Sequence, residues 1–269
     1  MDETKSKPPN PMMAMAWFSL ITTVYFIIRV LKPVKITDQG KKSDQTSKIY
    51  FGMYILFLII GELIINIELT KTMCGVEQYP TAFIVTVIPW VIIFGILIIM
   101  LIMFPGWLSP FSNTFGYGVA KLSGISKTMN KIFKAQVADQ SGLSGEMKNV
   151  QEALANIYKD KSLLINEITT ENFETFWTKM SVLFRPNVKG DTALKNELFH
   201  HVLTKQITAE YIWYMLTGGL VTSASYNFLV NTRCEYSTAE QEKRAKEYAD
   251  SQKKKNENKP ANKVYTTYE

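Results

Sequence analysis

Few side chains in this sequence could carry chemistry, and most of them occur in apolar surroundings. Glu62 and Asn66 lie four residues apart inside a long apolar run, so a helix would place them on one face. A carboxylate in such a run is costly in a bilayer and by default suggests an ion or proton path. The competing reading is a protonated Glu62 that hydrogen-bonds a neighbouring helix as packing glue. His200 and His201 are adjacent and point in different directions on a helix, whereas a metal site wants an i,i+4 pair with further ligands. No phosphate-binding glycine loop, nucleophile elbow or paired-cysteine motif occurs, so we expect no enzyme, no cofactor, no metal and no small-molecule substrate.

The elements that hold these residues are apolar on every face rather than on one stripe. Met12–Leu31 is long enough, at 1.5 Å per residue, to cross the roughly 30 Å hydrocarbon core. A cleaved signal peptide competes with that reading, but no small-x-small site follows and Lys32 comes directly after. Ile49–Leu69 and Thr81–Phe104 are the second and third segments, and Pro89 is expected to kink the third. Tyr211–Val230 is a weaker fourth, diluted by small residues. Among these, Gly218 with Thr222 and Gly219 with Ser223 form two small-xxx-small pairs suited to close helix packing. A buried helix of a soluble domain is the alternative there.

The chain therefore reads as an all-α polytopic membrane protein with about four transmembrane helices. Its expected parts are a polar leader (1–11), three spans with a short basic loop (12–104) and a soluble or interfacial helical region (105–206). The fourth span (207–230) and a charged tail (231–269) follow. The loop from Arg29 to Lys48 holds six basic and two acidic residues, and Pro105–Lys134 holds four lysines and no acid. The positive-inside rule places both on the cytoplasmic side. Cys74 and Cys234 then share the opposite face, where a disulfide can form in an oxidising compartment; two unrelated free thiols are the alternative. The net charge of +6 is dispersed, which fits lipid head groups and gives no nucleic-acid footprint.

Between the third and fourth segments the apolar spacing turns amphipathic. Met147, Val150, Leu154, Ile157, Leu164 and Ile168 form one stripe, and Phe173, Phe176, Trp177, Met180, Leu183 and Phe184 a second. Thr170 is a candidate N-cap for the second, with Pro186 ending it, and Asp191 is a candidate cap for a third helix carrying Leu194, Leu198 and Val202. The aromatic stripe with Phe173, Phe176, Trp177 and Phe184 is the best candidate for contact with a partner. Trp107, Phe111, Phe115 and Tyr117 at the membrane exit form a second such patch.

Two stretches are more specific than this. FPGWLSPFSNTFGYGVAKLSGI (Phe104–Ile125) and EYIWYMLTGGLVTSASYNFLVNTRC (Glu210–Cys234) together resemble a family of multi-pass membrane proteins of nucleocytoplasmic large DNA viruses, including those of algae. The family's usual end of the second stretch has a glycine before the cysteine, where this chain has Arg233. The resemblance implies a minor capsid protein in the internal membrane of a virion, with the lipid bilayer and other capsid or membrane virion proteins as partners. A small channel or transporter using Glu62 and Asn66 is the alternative from another class.

Overall fold

The structure, a computed structural model, describes residues 10–32, 42–133 and 161–257. The leader up to residue 9, residues 33–41 of the basic loop, the stripe from Met147 to Ile157 and residues 258–269 lie outside the described residues. Among those described, helices are joined by turns and short irregular connections, and the one β feature is an isolated antiparallel bridge between Phe133 and Phe184.

Helix α1 covers Met12–Leu31, α2 covers Lys42–Cys74 and α3 covers Tyr79–Met103. All three are long and apolar enough to cross a membrane, α2 through its Ser47–Cys74 part. Only about a quarter of each span is buried within the chain (28%, 22% and 28%), so most of the apolar surface faces outward. In water that exposure would be prohibitive, whereas lipid covers it at no cost to the backbone, whose hydrogen bonds a helix satisfies internally.

The inward face of α2 is a stripe with one residue every four: Tyr54, Leu58, Glu62, Asn66 and Thr70. That ridge packs beside α1, which presents Ala14, Phe18, Thr22 and Phe26, and beside α3, which presents Ala82, Val85, Thr86, Trp90 and Phe94. In α3 the turn from Pro89 to Phe94 is widened to a π-helix. Proline has no N–H to donate, and the wide turn absorbs the break while keeping Pro89, Trp90 and Phe94 inward and Val91 and Ile92 outward. The membrane-side core is aromatic. Tyr25 stacks on Tyr54 at 4.5 Å between ring centroids, and Tyr214 meets Phe26 at 5.2 Å and Phe94 at 5.6 Å.

Beyond Met103 the chain runs through a 3-10 turn (Pro105–Leu108), one helical turn (Ser109–Phe111) and a π turn (Ser112–Gly116) into α4, Tyr117–Leu122. Gly124, with φ of +104°, reverses it into α5, Ile125–Ile132. Helices α6 (Lys161–Glu167) and α7 (Phe173–Met180) follow. They close a second core of Ile125, Met129, Ile132, Ile165, Ile168, Phe173, Trp177, Phe184, Leu198, Phe199 and Val202. The start of α7 departs from expectation. Asn172 rather than Thr170 stands at the cap, exchanging bonds with Thr169 (2.8 and 3.2 Å), while the Thr170 hydroxyl donates to Gln206 on another helix. Asp191 does cap the next helix, its Oδ1 accepting from the Leu194 N–H at 2.9 Å.

That next helix, α8, runs unbroken from Thr192 to Asn231. The expected third soluble helix and the fourth membrane segment are therefore one element of 40 residues, about 60 Å long. The reason is local: from Thr192 to Tyr214 there is neither glycine nor proline to interrupt the hydrogen-bond ladder. Its first half lines the soluble core and its second half lines the membrane core, and Leu203 packs against both. The chain divides after Val230 into a second unit, Asn231–Glu269, described there by helix α9 (Thr238–Glu257), with Arg244 lying over the Tyr236 ring.

Candidate functional site

Glu62 and Asn66 share the inward ridge of α2, but the structure gives them different work. The Asn66 amide donates to the Thr86 hydroxyl of α3 at 2.8 Å and to the Ser225 hydroxyl of α8 at 3.2 Å. Those hydroxyls donate onward to backbone carbonyls, Thr86 to Ala82 and Ser225 to Val85, each at 2.7 Å. One amide thus ties α2, α3 and α8, which is the use of polar side chains expected in lipid. Glu62 is 0% exposed, and neither carboxyl oxygen has a hydrogen-bond partner among the described residues. The packing-glue role therefore belongs to Asn66 and not to Glu62. On the facing helices the Trp90 indole N–H and the Thr222 hydroxyl are likewise buried without partners.

The two small-residue pairs also separate. Gly218 and Thr222 are buried, and a Cβ at Gly218 would overlap the Phe18 ring of α1. Gly219 has only the Met15 methyl near it, at 3.8 Å, and Ser223 is exposed with its hydroxyl turned back to the Gly219 carbonyl. Gly219 and Ser223 therefore do not form a packing seam: successive residues on a helix face 100° apart, and α1 covers only one of the two directions. At the other end of the same helix pair, Arg29 pairs with Glu210, and Thr23 meets the Tyr211 hydroxyl at 3.1 Å.

The aromatic stripe assigned to a partner is occupied within the fold. Phe173, Trp177 and Phe184 are buried, Phe176 packs on them, and Phe173 meets Phe199 of α8 at 5.1 Å. Short amphipathic helices bury their stripes against the nearest apolar surface, here α5 and α8. In the other patch Trp107 and Phe115 are exposed, Phe111 lies at 6.2 Å from Trp213, and Tyr117 packs on the soluble core. Neither Cys74, buried at the end of α2, nor Cys234 is a free thiol.

Two clusters escaped sequence reasoning. The first runs from Ser123 to Lys131. Ser123 Oγ lies 2.8 Å from His201 Nδ1, His201 Nε2 lies 3.1 Å from Thr128 Oγ1, and Thr128 donates to Glu197 at 2.6 Å. Lys131 completes the row, donating to the same carboxylate at 3.2 Å. Thr128 has a single proton and gives it to Glu197, so its oxygen accepts from His201 Nε2–H; the single Ser123 proton has both the Ala120 carbonyl and Nδ1 within 2.8 Å and serves one of them at a time. Burial pushes the His201 imidazole below its ordinary range, and the Thr128 hydrogen bond holds Glu197 below the usual carboxylate value. The adjacent histidines hid this arrangement, and the available signal was the i,i+4 spacing of Glu197 and His201. The second cluster is Lys205, 2% exposed, whose ammonium donates to the Ile165 carbonyl at 2.8 Å and the Asn166 carbonyl at 3.2 Å. It binds the end of α6 to α8, where cations are favoured, and desolvation brings it down to about 8.

Among the described residues no three His, Cys, Asp or Glu side chains converge on one point. These features define an all-α membrane protein with three helices long and apolar enough to cross a bilayer and a 40-residue helix, α8, shared between two apolar cores. No protein-family model, curated protein or solved structure matches the chain.

Proposed function

We propose that this chain is a non-enzymatic structural protein of the internal membrane of a large DNA virus, a minor capsid protein linking the bilayer to the icosahedral shell. The observation that carries the anchoring role is α8, one unbroken helix shared by the membrane core and the soluble core. A tether that must transmit force between a bilayer and a protein layer needs such a rigid element, because a flexible linker would let the two drift. The viral setting rests on the resemblance of Phe104–Ile125 and Glu210–Cys234, and the partners are the lipid and neighbouring capsid or membrane virion proteins. With Phe173, Phe176, Trp177 and Phe184 turned into the core, the shell contact falls on the polar outer surface outside the membrane. Mass spectrometry of purified particles before and after mild detergent tests this. Retention with the shell after lipid is stripped supports anchoring, and absence from particles overturns it.

A second reading is favoured by one observation, the buried and unpartnered carboxyl of Glu62. In that reading the chain is a small channel or transporter that binds a proton or cation at Glu62, beside Asn66. Glu62→Gln in proteoliposomes separates the two. Loss of ion flux favours transport, whereas unchanged particle assembly with no flux in the parent chain favours the anchor.

A further inference from the structure

The stretch that leaves α3 has two faces of different character. Its inner face is committed to the fold: Ala120 is fully buried, Tyr117 packs on the soluble core, and the Gly116 backbone approaches the Lys205 carbonyl so closely that a Cβ would overlap it. Its outer face is apolar and open. Phe115, Val119 and Leu122 follow a four- and three-residue step on one side of the helix, and Leu122 is 90% exposed. Phe104 and Trp107, stacked on each other at 5.6 Å, extend the exposed apolar surface back towards α3.

We infer that the outer face of Phe104–Leu122 lies along the bilayer surface, with Phe115, Val119 and Leu122 at the boundary of acyl chains and head groups and the neighbouring lysines on anionic lipid phosphates. Two observations select lipid as the occupant. The stripe continues the lipid-facing surface of α3, whose last turn exposes Ile102 and Met103, and Phe104 and Trp107 mark the depth at which aromatic side chains settle. Beside it Lys121 and Lys127 are exposed, and no acidic residue occurs between Pro105 and Lys134. An apolar stripe beside lysines is the pattern of a helix lying in a membrane interface. The inference needs the membrane reading of α1–α3 but not the viral one. It assigns to lipid the Trp107 and Phe115 side chains that sequence alone offers to a protein.

Because neither native cysteine is a free thiol, single cysteines introduced by Phe115→Cys, Leu122→Cys and Lys189→Cys can each carry a fluorophore, with exposed Lys189 as the reference in the soluble subdomain. The labelled full-length chain is reconstituted in phosphatidylcholine/phosphatidylglycerol vesicles with brominated acyl chains. Severalfold stronger quenching at 115 and 122 than at 189 is expected. Equal quenching at all three overturns the inference, as does protection of 115 and 122 that requires a bound protein. A second measurement keeps the head-group assignment testable. In a Lys121→Gln/Lys127→Gln background, the rise in quenching on adding phosphatidylglycerol should disappear, and its persistence overturns that assignment. Unchanged melting temperatures of the labelled variants exclude misfolding as the cause.

Discussion

Two adjacent glycines make the sharpest test of the membrane packing, because they differ in nothing but direction. Gly218→Ala and Gly219→Ala each replace a helical glycine by alanine, which by itself stabilises a helix by about 1 kcal/mol. At Gly219 the nearest outside atom is the Met15 methyl at 3.8 Å, so the new methyl meets ordinary contact and the gain remains. At Gly218 it lands in the Phe18 ring, which is buried and wedged against Trp90 with centroids 5.8 Å apart. Forcing a methyl into a filled core costs about 1–3 kcal/mol, which cancels or exceeds the helix gain. The two variants should therefore differ by about 2 kcal/mol, or roughly 4–8 °C in melting temperature for a chain of this size. Melting curves in mild detergent, followed by circular dichroism, would show Gly219→Ala at or above the parent and Gly218→Ala below it. Phe18→Leu removes the ring, and in that background Gly218→Ala should cost little more than Gly219→Ala, a coupling that a double-mutant cycle isolates. Equal melting of the two alanine variants, or no coupling to Phe18, would refute the α1–α8 packing described above.

Three further outcomes are expected. Asn66→Ala removes two interhelical hydrogen bonds and should lower stability by about 1 kcal/mol, read by unfolding in mixed micelles; Ser223→Ala, whose hydroxyl bonds back within α8, is the reference. His201 is held below its ordinary pKa of about 6.5, so the unfolded chain takes up more protons as pH falls. Stability is thus present above pH 6.5 and lost below it, Glu197 adds the same sign at lower pH, and His201→Gln should flatten the loss between pH 7 and 5 in a melting series. Alkylation of the purified, unreduced chain with iodoacetamide should modify neither Cys74 nor Cys234 by mass spectrometry, and both after reduction.

Sequence alone determined the features set by a single helix and its solvent. A run of twenty apolar residues with no polar face has one comfortable environment, so α1, the apolar part of α2 and α3 were legible from length and hydropathy. Asp191 was legible as a cap because capping is a bond within one turn; at Pro89 the missing donor is covalent and so was legible, but that the helix would answer with a π turn was not. Tertiary structure decided everything that depends on which face meets which neighbour. Periodicity marked Phe173–Phe184 as a stripe but could not say that α5 and α8 would cover it. It counted Gly218 and Gly219 as equals, although Phe18 of α1 meets only the first. It separated the soluble third helix from the fourth span, since composition changes at Tyr211 while the backbone does not. It also passed over Ser123, Thr128 and His201, whose juxtaposition needs residues more than seventy positions apart. Hydropathy averages over a helix, but contact is made by particular side chains along one direction, and that direction is fixed only when the helices pack.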